Sequence, residues 1–385
     1  MDAWLAALSD VPAVLVTVAI VEGSGPREAG AKMLVTADGQ FDTIGGGHLE
    51  MCAVDIGRSM LRQAAQAASA GRAADEAPVT ARLERFALGP SLGQCCGGVV
   101  HLAFERIDAP LREVLATLAG RRSEDLWRVS AIDGPSSAAL YDEQGALIAG
   151  ACGQALDALS AGTPAHASGA SVGRVREWLP ATLRERGTCM VRDADGLRWL
   201  IDACLAPRAH LLLFGAGHVG AALVKQLAQL PCTVTWIDER DDMFPAQLPT
   251  NVRIEATDTP EALVVAAPPG ASYLVMTHSH ALDQRLSEAI LSRDDVGWFG
   301  LIGSKTKRVQ FTRRLRERGI APDRIAAMAC PIGLPGIRNK TPAAIAISVS
   351  AQLLMVWEAQ LAAADVQSKL SQPAAVLPSA LQRTH

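Results

Sequence analysis

Two cysteines stand side by side in LGPSLGQCCGGVV, residues 88–100, within a glycine-rich stretch. Their spacing is not the C-x-x-C that lets two thiolates share a zinc ion. A disulfide between neighbours would close a small strained ring. A structural cysteine behaves as a small hydrophobe and belongs in a periodic apolar run, which this loop is not. Cys95 and Cys96 therefore read as ligands, with incidental thiols as the plainer alternative. Alternate side chains point apart, so one of the pair faces a ligand and the other packs. A thiolate is a soft ligand, suited to a transition metal or to sulfur chemistry.

Three further groups of residues carry chemistry. Gly45-Gly46-Gly47-His48-Leu49-Glu50 follows a strand and opens a helix. Consecutive glycines expose backbone N–H groups without side-chain obstruction, which suits an anion or a flat polar ring. His48 is a candidate donor there, Arg27 a candidate phosphate fork, and Glu50 sits where a helix dipole favours an acid. In the second half, Gly215, Gly217 and Gly220 form G-x-G-x-x-G between an apolar strand and a helix, with Asp238 ending the next strand. That context makes a dinucleotide turn of the motif, with phosphate on the helix N-terminus. Asp238 would accept from a ribose, although nearby Arg240 blurs the choice of nucleotide. His218 at the wildcard position either meets ligand or caps the helix. Retention of the glycines for packing alone is the alternative.

The third group lies at the ends of later strands. Lys305, Lys307 and Arg308 open a helix where the dipole disfavours cations, so they face an anionic ligand or form a solvated basic face. His278, His280 and Asp283 have some metal-ligand character, but two histidines at i, i+2 on a loop more often serve only as polar loop residues.

The elements that position these residues fall into two halves. Residues 1–206 read as a mixed α+β domain: strands at VLVTVAIVEG, Lys32–Thr36, RLERFAL, GVVHLAFERI, LWRVSAID, AALYDEQGALIAG and GLRWLIDACLAPR, with helices at HLEMCAVDIGRSMLRQAAQAA and APLREVLATLAG. The Ala/Gly/Ser-rich stretch near residues 155–175 reads as a surface loop. Residues 207–360 read as a Rossmann-like, doubly wound parallel sheet whose strands are HLLLFG, CTVTWIDER, VRIEATD, ASYLVMTH, WFGLIGS and IAAMACP. Residues 361–385, with proline and no periodicity, read as a disordered tail.

Composition bounds the class. The chain has 385 residues, 49% hydrophobic and 20% charged, which fits about two globular domains. A formal charge of −4 argues against a general nucleic-acid binder. Eight scattered cysteines are too few and too irregular for a disulfide scaffold, which points to a reducing, cytoplasmic setting. VPAVLVTVAIV is too short to span a bilayer, and the acids before it, with no basic residue, make a poor signal peptide.

GPREAGAKMLVTADGQFDTIGGGHLE, LGPSLGQCCGG, LLLFGAGHVG, MTHSHALDQ, WFGLIGSKTKR and CPIGLPGIRNKTPAAIAISVSAQLL together resemble the XdhC/CoxI family, in the family's order and over nearly the whole chain. The family's Gln-Cys-Cys-Gly motif matches Gln94, Cys95, Cys96 and Gly97. The resemblance implies an accessory maturation factor rather than an enzyme. Such a protein binds the molybdenum cofactor (molybdopterin) as cargo and holds it while a cysteine desulfurase installs its terminal sulfur. It then passes the cargo to apo-xanthine dehydrogenase and self-associates. On that reading Arg27, Gly45, Gly46, Gly47, His48, Gln94, Cys95, Cys96 and Gly97 contact the cofactor, together with Gly215, Gly217, His218, Gly220 and Asp238, and the two thiols meet molybdenum. NAD(P) or another nucleotide is a second ligand of the Rossmann half. Two competing readings are an NAD(P)-dependent oxidoreductase, which lacks a convincing acid/base set outside His278 and His280, and a scaffold binding only the dehydrogenase and desulfurase, which needs no thiols.

Overall fold

Valine-rich Ala13–Glu22 (AVLVTVAIVE) forms β1, the central strand of the first sheet. In the computed structural model, which describes residues 3–70, 79–89, 97–152, 187–193 and 196–371, with side chains to residue 364, the chain divides into two compact units, Asp2–Ala206 and Pro207–His385. Gln94, Cys95, Cys96 and the 155–175 stretch lie outside the described residues.

In the first unit β1 is joined by β2 (Lys32–Thr36), β3 (Gln40–Asp42), β4 (Ala81–Ala87) and β5 (Val99–Arg106) in the order β3-β2-β1-β5-β4, all antiparallel. The turn between β2 and β3 is closed by Thr36, whose N–H donates to Gly39 O at 3.0 Å. Both faces of β1 are buried, which explains its nearly continuous apolar run. Val14, Val16 and Val18 pack under α2 (Gly47–Ser69) with Leu49, Ala53 and Met60. Ala13 and Leu15 face α1 (Ala3–Ala6) and α3 (Ala109–Gly120), with Trp4, Leu111 and Leu115. Asp108 caps α3 by accepting from Leu111 N at 3.2 Å, and Pro110 sits in its first turn, where a missing N–H costs nothing.

The second sheet contains β6 (Leu126–Ala131), β7 (Ala138–Asp142), β8 (Leu147–Ala151), β9 (Cys189–Arg192) and β10 (Arg198–Cys204), ordered β8-β7-β6-β10-β9 and also antiparallel. Trp127, Val129, Trp199 and Ile201 form the core on one of its faces.

In the second unit five parallel strands, β11 (Ala209–Phe214), β12 (Cys232–Asp238), β13 (Val252–Ala256), β14 (Ser272–Val275) and β15 (Trp298–Leu301), run in the order β13-β12-β11-β14-β15. Helices α4 (His218–Leu227) and α9 (Pro342–Ser371) cover one face through Leu223, Val224, Val349, Leu353 and Trp357. Helices α5 (Pro260–Ala266), α6 (His280–Leu291), α7 (Lys305–Glu317) and α8 (Pro322–Ala327) cover the other through Val264, Leu286, Phe311, Leu315 and Ile325. This is the doubly wound arrangement expected from the alternation of strands and helices.

Two expectations change here. IAAMACP is not a sixth strand: its first residues end α8, and only Ala329 makes a single parallel bridge, to Gly300. A short apolar run has no period that separates a strand from a buried turn of helix. The stretch from residue 361 is not wholly without order, because α9 continues to Ser371. Helix α9 is long and apolar enough to cross a membrane by length and composition, but its buried residues Ala346, Val349, Leu353 and Trp357 belong to the core of the parallel sheet.

Candidate functional site

At one end of the first sheet, three motifs distant in sequence come together. Gly45, Gly46 and Gly47 have φ of +122°, +75° and +65°, a left-handed run that only glycines adopt without strain. A Cβ on Gly45 would stand 2.5 Å from Pro26 Cβ, so the glycine turn is pressed against the Pro26-Arg27 loop. The same loop meets the far side of the sheet end: a Cβ on Gly98 would stand 2.4 Å from Ser24 O and 2.5 Å from Glu22 O. Leu88 N donates to Gly98 O at 2.9 Å. Gly89 and Gly97, the described residues on either side of 90–96, therefore lie at this same end.

The glycine turn satisfies most of its own amides. Glu50, in the first turn of α2, reaches back so that Oε2 accepts from Ile44 N at 3.2 Å, from Gly46 N at 3.1 Å and from Thr43 Oγ1, while Oε1 accepts from Gln40 Nε2 at 2.7 Å. Gly45 N donates to Thr43 Oγ1 at 3.0 Å. The expectation that all three glycine amides face a ligand is thus corrected: an internal carboxylate holds the turn open. Gly47 and His48 remain exposed at the helix start, where first-turn N–H groups have no acceptor within the helix. Arg27 is half-buried beside them; Nη1 donates to Thr43 O at 3.4 Å and Nη2 to Glu28 Oε1 at 3.0 Å. The Glu28 hydrogen bond raises the Arg27 pKa, and Arg27 lowers that of Glu28. The result is a cation, an exposed imidazole and a helix N-terminus at the sheet end that also carries Gly97 and Gly98, a setting fit for an anion.

Sequence reasoning missed what lies between the two sheets of this unit. Arg128 on β6 donates through Nε to Asp202 Oδ2 at 3.1 Å and through Nη1 to both oxygens of Glu105, at 2.7 and 2.9 Å. Lys32 on β2 joins Asp202 Oδ1 at 2.8 Å, and Thr188 Oγ1 donates to the same oxygen at 3.1 Å. Burial lowers the pKa of Lys32 and Arg128, and the facing carboxylates more than reverse that, so both stay charged. Burial likewise works against Asp202, but the two cations bring its pKa below the usual carboxylate range. The available signal was a charged residue inside each of three apolar strand patterns, HLAFER, LWRVSA and RWLIDAC.

In the second unit the three glycines have three separate jobs. Gly215 has φ +117°, and a Cβ there would stand 2.4 Å from Met276 O. Gly220 lets α4 approach the sheet, since its Cβ would stand 2.3 Å from Gly215 O. Gly217 caps α4, and a Cβ on it would meet nothing within 4 Å, so it faces open space where a phosphate would approach. His218 is exposed on the first turn of α4 and Gly217, not His218, holds the cap position. Beside the turn, at the carboxyl edge of β11, β12 and β14, is a shallow open crevice. Phe214, Ile237, Pro260 and Leu282 make its apolar floor, and Glu239, Thr277 and His278 its rim.

Several expected roles do not hold. Asp238 is not a free ribose acceptor: Oδ2 accepts from Ala216 N at 2.7 Å and Arg240 Nη2 at 3.0 Å, and Oδ1 from Arg240 N at 3.1 Å and Arg240 Nε at 2.8 Å. Burial alone would raise its pKa, but these donors outweigh it and bring the carboxyl down to about 2. Lys307 does not face an anionic ligand; its buried ammonium donates to Asp283 Oδ2 at 2.6 Å and Ile302 O at 2.8 Å. Arg308 Nη1 donates to Met328 O at 2.9 Å and Cys330 O at 3.0 Å. Only Lys305 of that trio is exposed. Asp283 also accepts from Thr277 Oγ1 at 2.7 Å, which removes it from any set with exposed His278 and His280, and no metal-binding cluster occurs among the described residues. Glu239, Pro260 and Leu282 were not singled out in the sequence, because nothing in their spacing separates them from ordinary strand-end and helix residues.

Residues 6–69 match the model described as the XdhC and CoxI family, and residues 211–353 match the XdhC Rossmann domain. Over 165 residues the chain is 31% identical to the uncharacterised protein YqeB of Escherichia coli (strain K12), a match over 43% of this chain that spans only 30% of that relative's length. A crystal structure described as a xanthine dehydrogenase from Bacillus halodurans shares the fold, with a TM-score of 0.63 and 22% identity over 97% of this chain and 96% of that one. The two family matches fall one in each unit, in the order of the motifs described above, and this chain belongs to the XdhC and CoxI family.

Proposed function

We propose that the protein is a molybdenum-cofactor carrier: it binds the cofactor as cargo, keeps it for sulfuration by a cysteine desulfurase and delivers it to xanthine dehydrogenase, in the cytoplasm and as a self-associating protein. Family membership supports the coarse role in xanthine dehydrogenase maturation. The observation that carries the finer reading is the convergence of Pro26-Arg27, Gly45–His48 and Gly97-Gly98 at one sheet end. Arg27 and the exposed start of α2 would hold the pterin phosphate, and the thiols of Cys95 and Cys96 would meet the metal. Three of the described cysteines suit sulfur chemistry poorly. Burial pushes the thiols of Cys152 and Cys204 up to about 12 and that of Cys232 to about 11, far from the thiolate form at neutral pH.

The test is retention. Protein loaded with the cofactor is passed through gel filtration, and bound molybdenum and pterin are quantified. Wild type is expected to keep both; the Cys95→Ala/Cys96→Ala variant is expected to lose most of the molybdenum, and Arg27→Ala most of the pterin. Equal metal retention by the double variant would remove the thiols from the proposal. Failure of wild type to retain either component would remove the carrier function.

A further inference from the structure

We infer that β13, an edge strand of the parallel sheet, pairs antiparallel with β13 of a second copy of this chain, centred on Ile254, so that Arg253 of each copy stands opposite Glu255 of the other. The inference names a surface for the self-association proposed above and rests on that part of the reading, not on the cargo.

The two edges of this sheet differ. The β15 edge is closed by Ala329, whose N–H donates to Phe299 O and whose carbonyl accepts from Leu301 N, both at 2.9 Å. Strand β13 pairs on one side only, with β12. Successive residues of a strand turn their N–H and C=O groups to opposite sides. Val234 N donates to Asn251 O at 2.9 Å and Thr257 N to Asp238 O at 3.1 Å, so the odd-numbered residues of β13 bond to β12. The backbone groups of Val252, Ile254 and Ala256 therefore point out of the sheet. Val252 N is used locally, by Pro249 O at 3.0 Å. The others form a row of donors and acceptors of the kind that templates another strand. Ile254 and Ala256 are exposed, and no proline interrupts the run.

Charge selects the register. Three antiparallel registers bring the outward groups of two copies together. Centring on Arg253 sets that cation against itself, and centring on Glu255 sets that acid against itself. Centring on Ile254 instead sets Arg253 against Glu255 twice. In that register the charged residues take the non-hydrogen-bonded positions, where side chains come closest. Opposite charges facing each other there attract and like charges repel. On the other face Ile254, 39% exposed in the single chain, meets its counterpart.

The two charges are available for this. Neither Arg253 nor Glu255 has an ion pair among the described residues, and Arg253 spends only its Nε, on Thr235 Oγ1 at 3.0 Å. Edge strand β4 is the contrast: its Arg82 and Glu84, also two residues apart, are paired with each other. A lone charge on an edge guards against strand addition. An acid and a base two apart on one face turn that guard into a match for a second copy. With five residues a side, the contact is smaller than the standard interface of about 800 Å² per partner, so the association is reversible and depends on concentration.

Sedimentation equilibrium of the full chain across the micromolar range tests this. Wild type is expected to form a dimer as concentration rises, and less of it at high salt. Arg253→Glu and Glu255→Arg should each weaken the dimer by about tenfold or more, because each turns two attractive pairs into repulsive ones. The double variant Arg253→Glu/Glu255→Arg should dimerise nearly as wild type does, a rescue that misfolding would not produce. Oxidation of Ile254→Cys should yield a covalent dimer, since the Cα atoms of a hydrogen-bonded pair stand about 5.5 Å apart, within reach of a disulfide. Peptide mapping should find residue 254 joined to residue 254. A wild type that stays monomeric overturns the inference and self-association together. A dimer unchanged by the single charge reversals, one not restored by the double variant, or no link at residue 254 overturns this surface and leaves self-association standing. Molybdenum retention is a separate measurement, so the cargo reading fails independently.

Discussion

Asp238 shows how one carboxylate can serve structure where its position in sequence suggests ligand binding. Its pKa of about 2 in the folded protein lies below its ordinary 3.8. A depressed carboxyl contributes stability that is fully present above the unfolded value and is lost as pH falls through the folded one. The stability difference between wild type and Asp238→Asn is therefore expected to be constant above about pH 4 and to shrink toward pH 2, read from denaturant midpoints across that window. Glu50 does similar work in the first unit, with two backbone amides and two side chains on one carboxylate. Glu50→Ala should destabilise that unit by about 1–3 kcal/mol, the cost of leaving such donors unpaired, measured by chemical denaturation. If stability is unchanged, the turn does not depend on this brace.

The glycine turns belong to the scale of elements, because each joins a strand to a helix. Gly220→Ala places a Cβ against Gly215 O, with no flexible side chain able to yield. Overpacking of this kind costs about 1–3 kcal/mol, and thermal unfolding should show it. Helix propensity alone would predict the opposite sign for glycine to alanine on a helix, so the measurement separates close packing from propensity. The same contrast explains what could be read in advance. The strand, glycine turn and helix at residues 209–227 were legible because hydrophobic period, glycine spacing and element length agree. IAAMACP was not, because seven small apolar residues carry no period, and Pro322 starts a helix just before them.

On the scale of the whole molecule, each unit has its own core, and the cores differ in kind. The parallel sheet is sealed on both faces by aliphatic and aromatic side chains. Between the sheets of the first unit, apolar contacts surround a buried network of two cations and two acids. Arg128→Met would leave Glu105 and Asp202 without their shared guanidinium, and removing one partner of a buried ion pair typically costs about 3–5 kcal/mol. A loss of that size in denaturant unfolding of the first unit is expected. A variant as stable as wild type would show that the network sets the sheets' register rather than their stability.

The amino-acid sequence alone determined the strand, glycine turn and helix at residues 209–227, the parallel character of the second half and the family motifs, because these depend on local periods and on glycines at fixed spacing. Tertiary structure decided which of the expected chemical groups are available. Asp238, Lys307 and Arg308 found partners brought near by the fold, and a hydrogen bond already made within the protein is not open to a ligand. It also decided that Pro26-Arg27, Gly45–His48 and Gly97-Gly98 share one sheet end, since antiparallel pairing of β1 with β2 and β5 places residues far apart in the chain side by side.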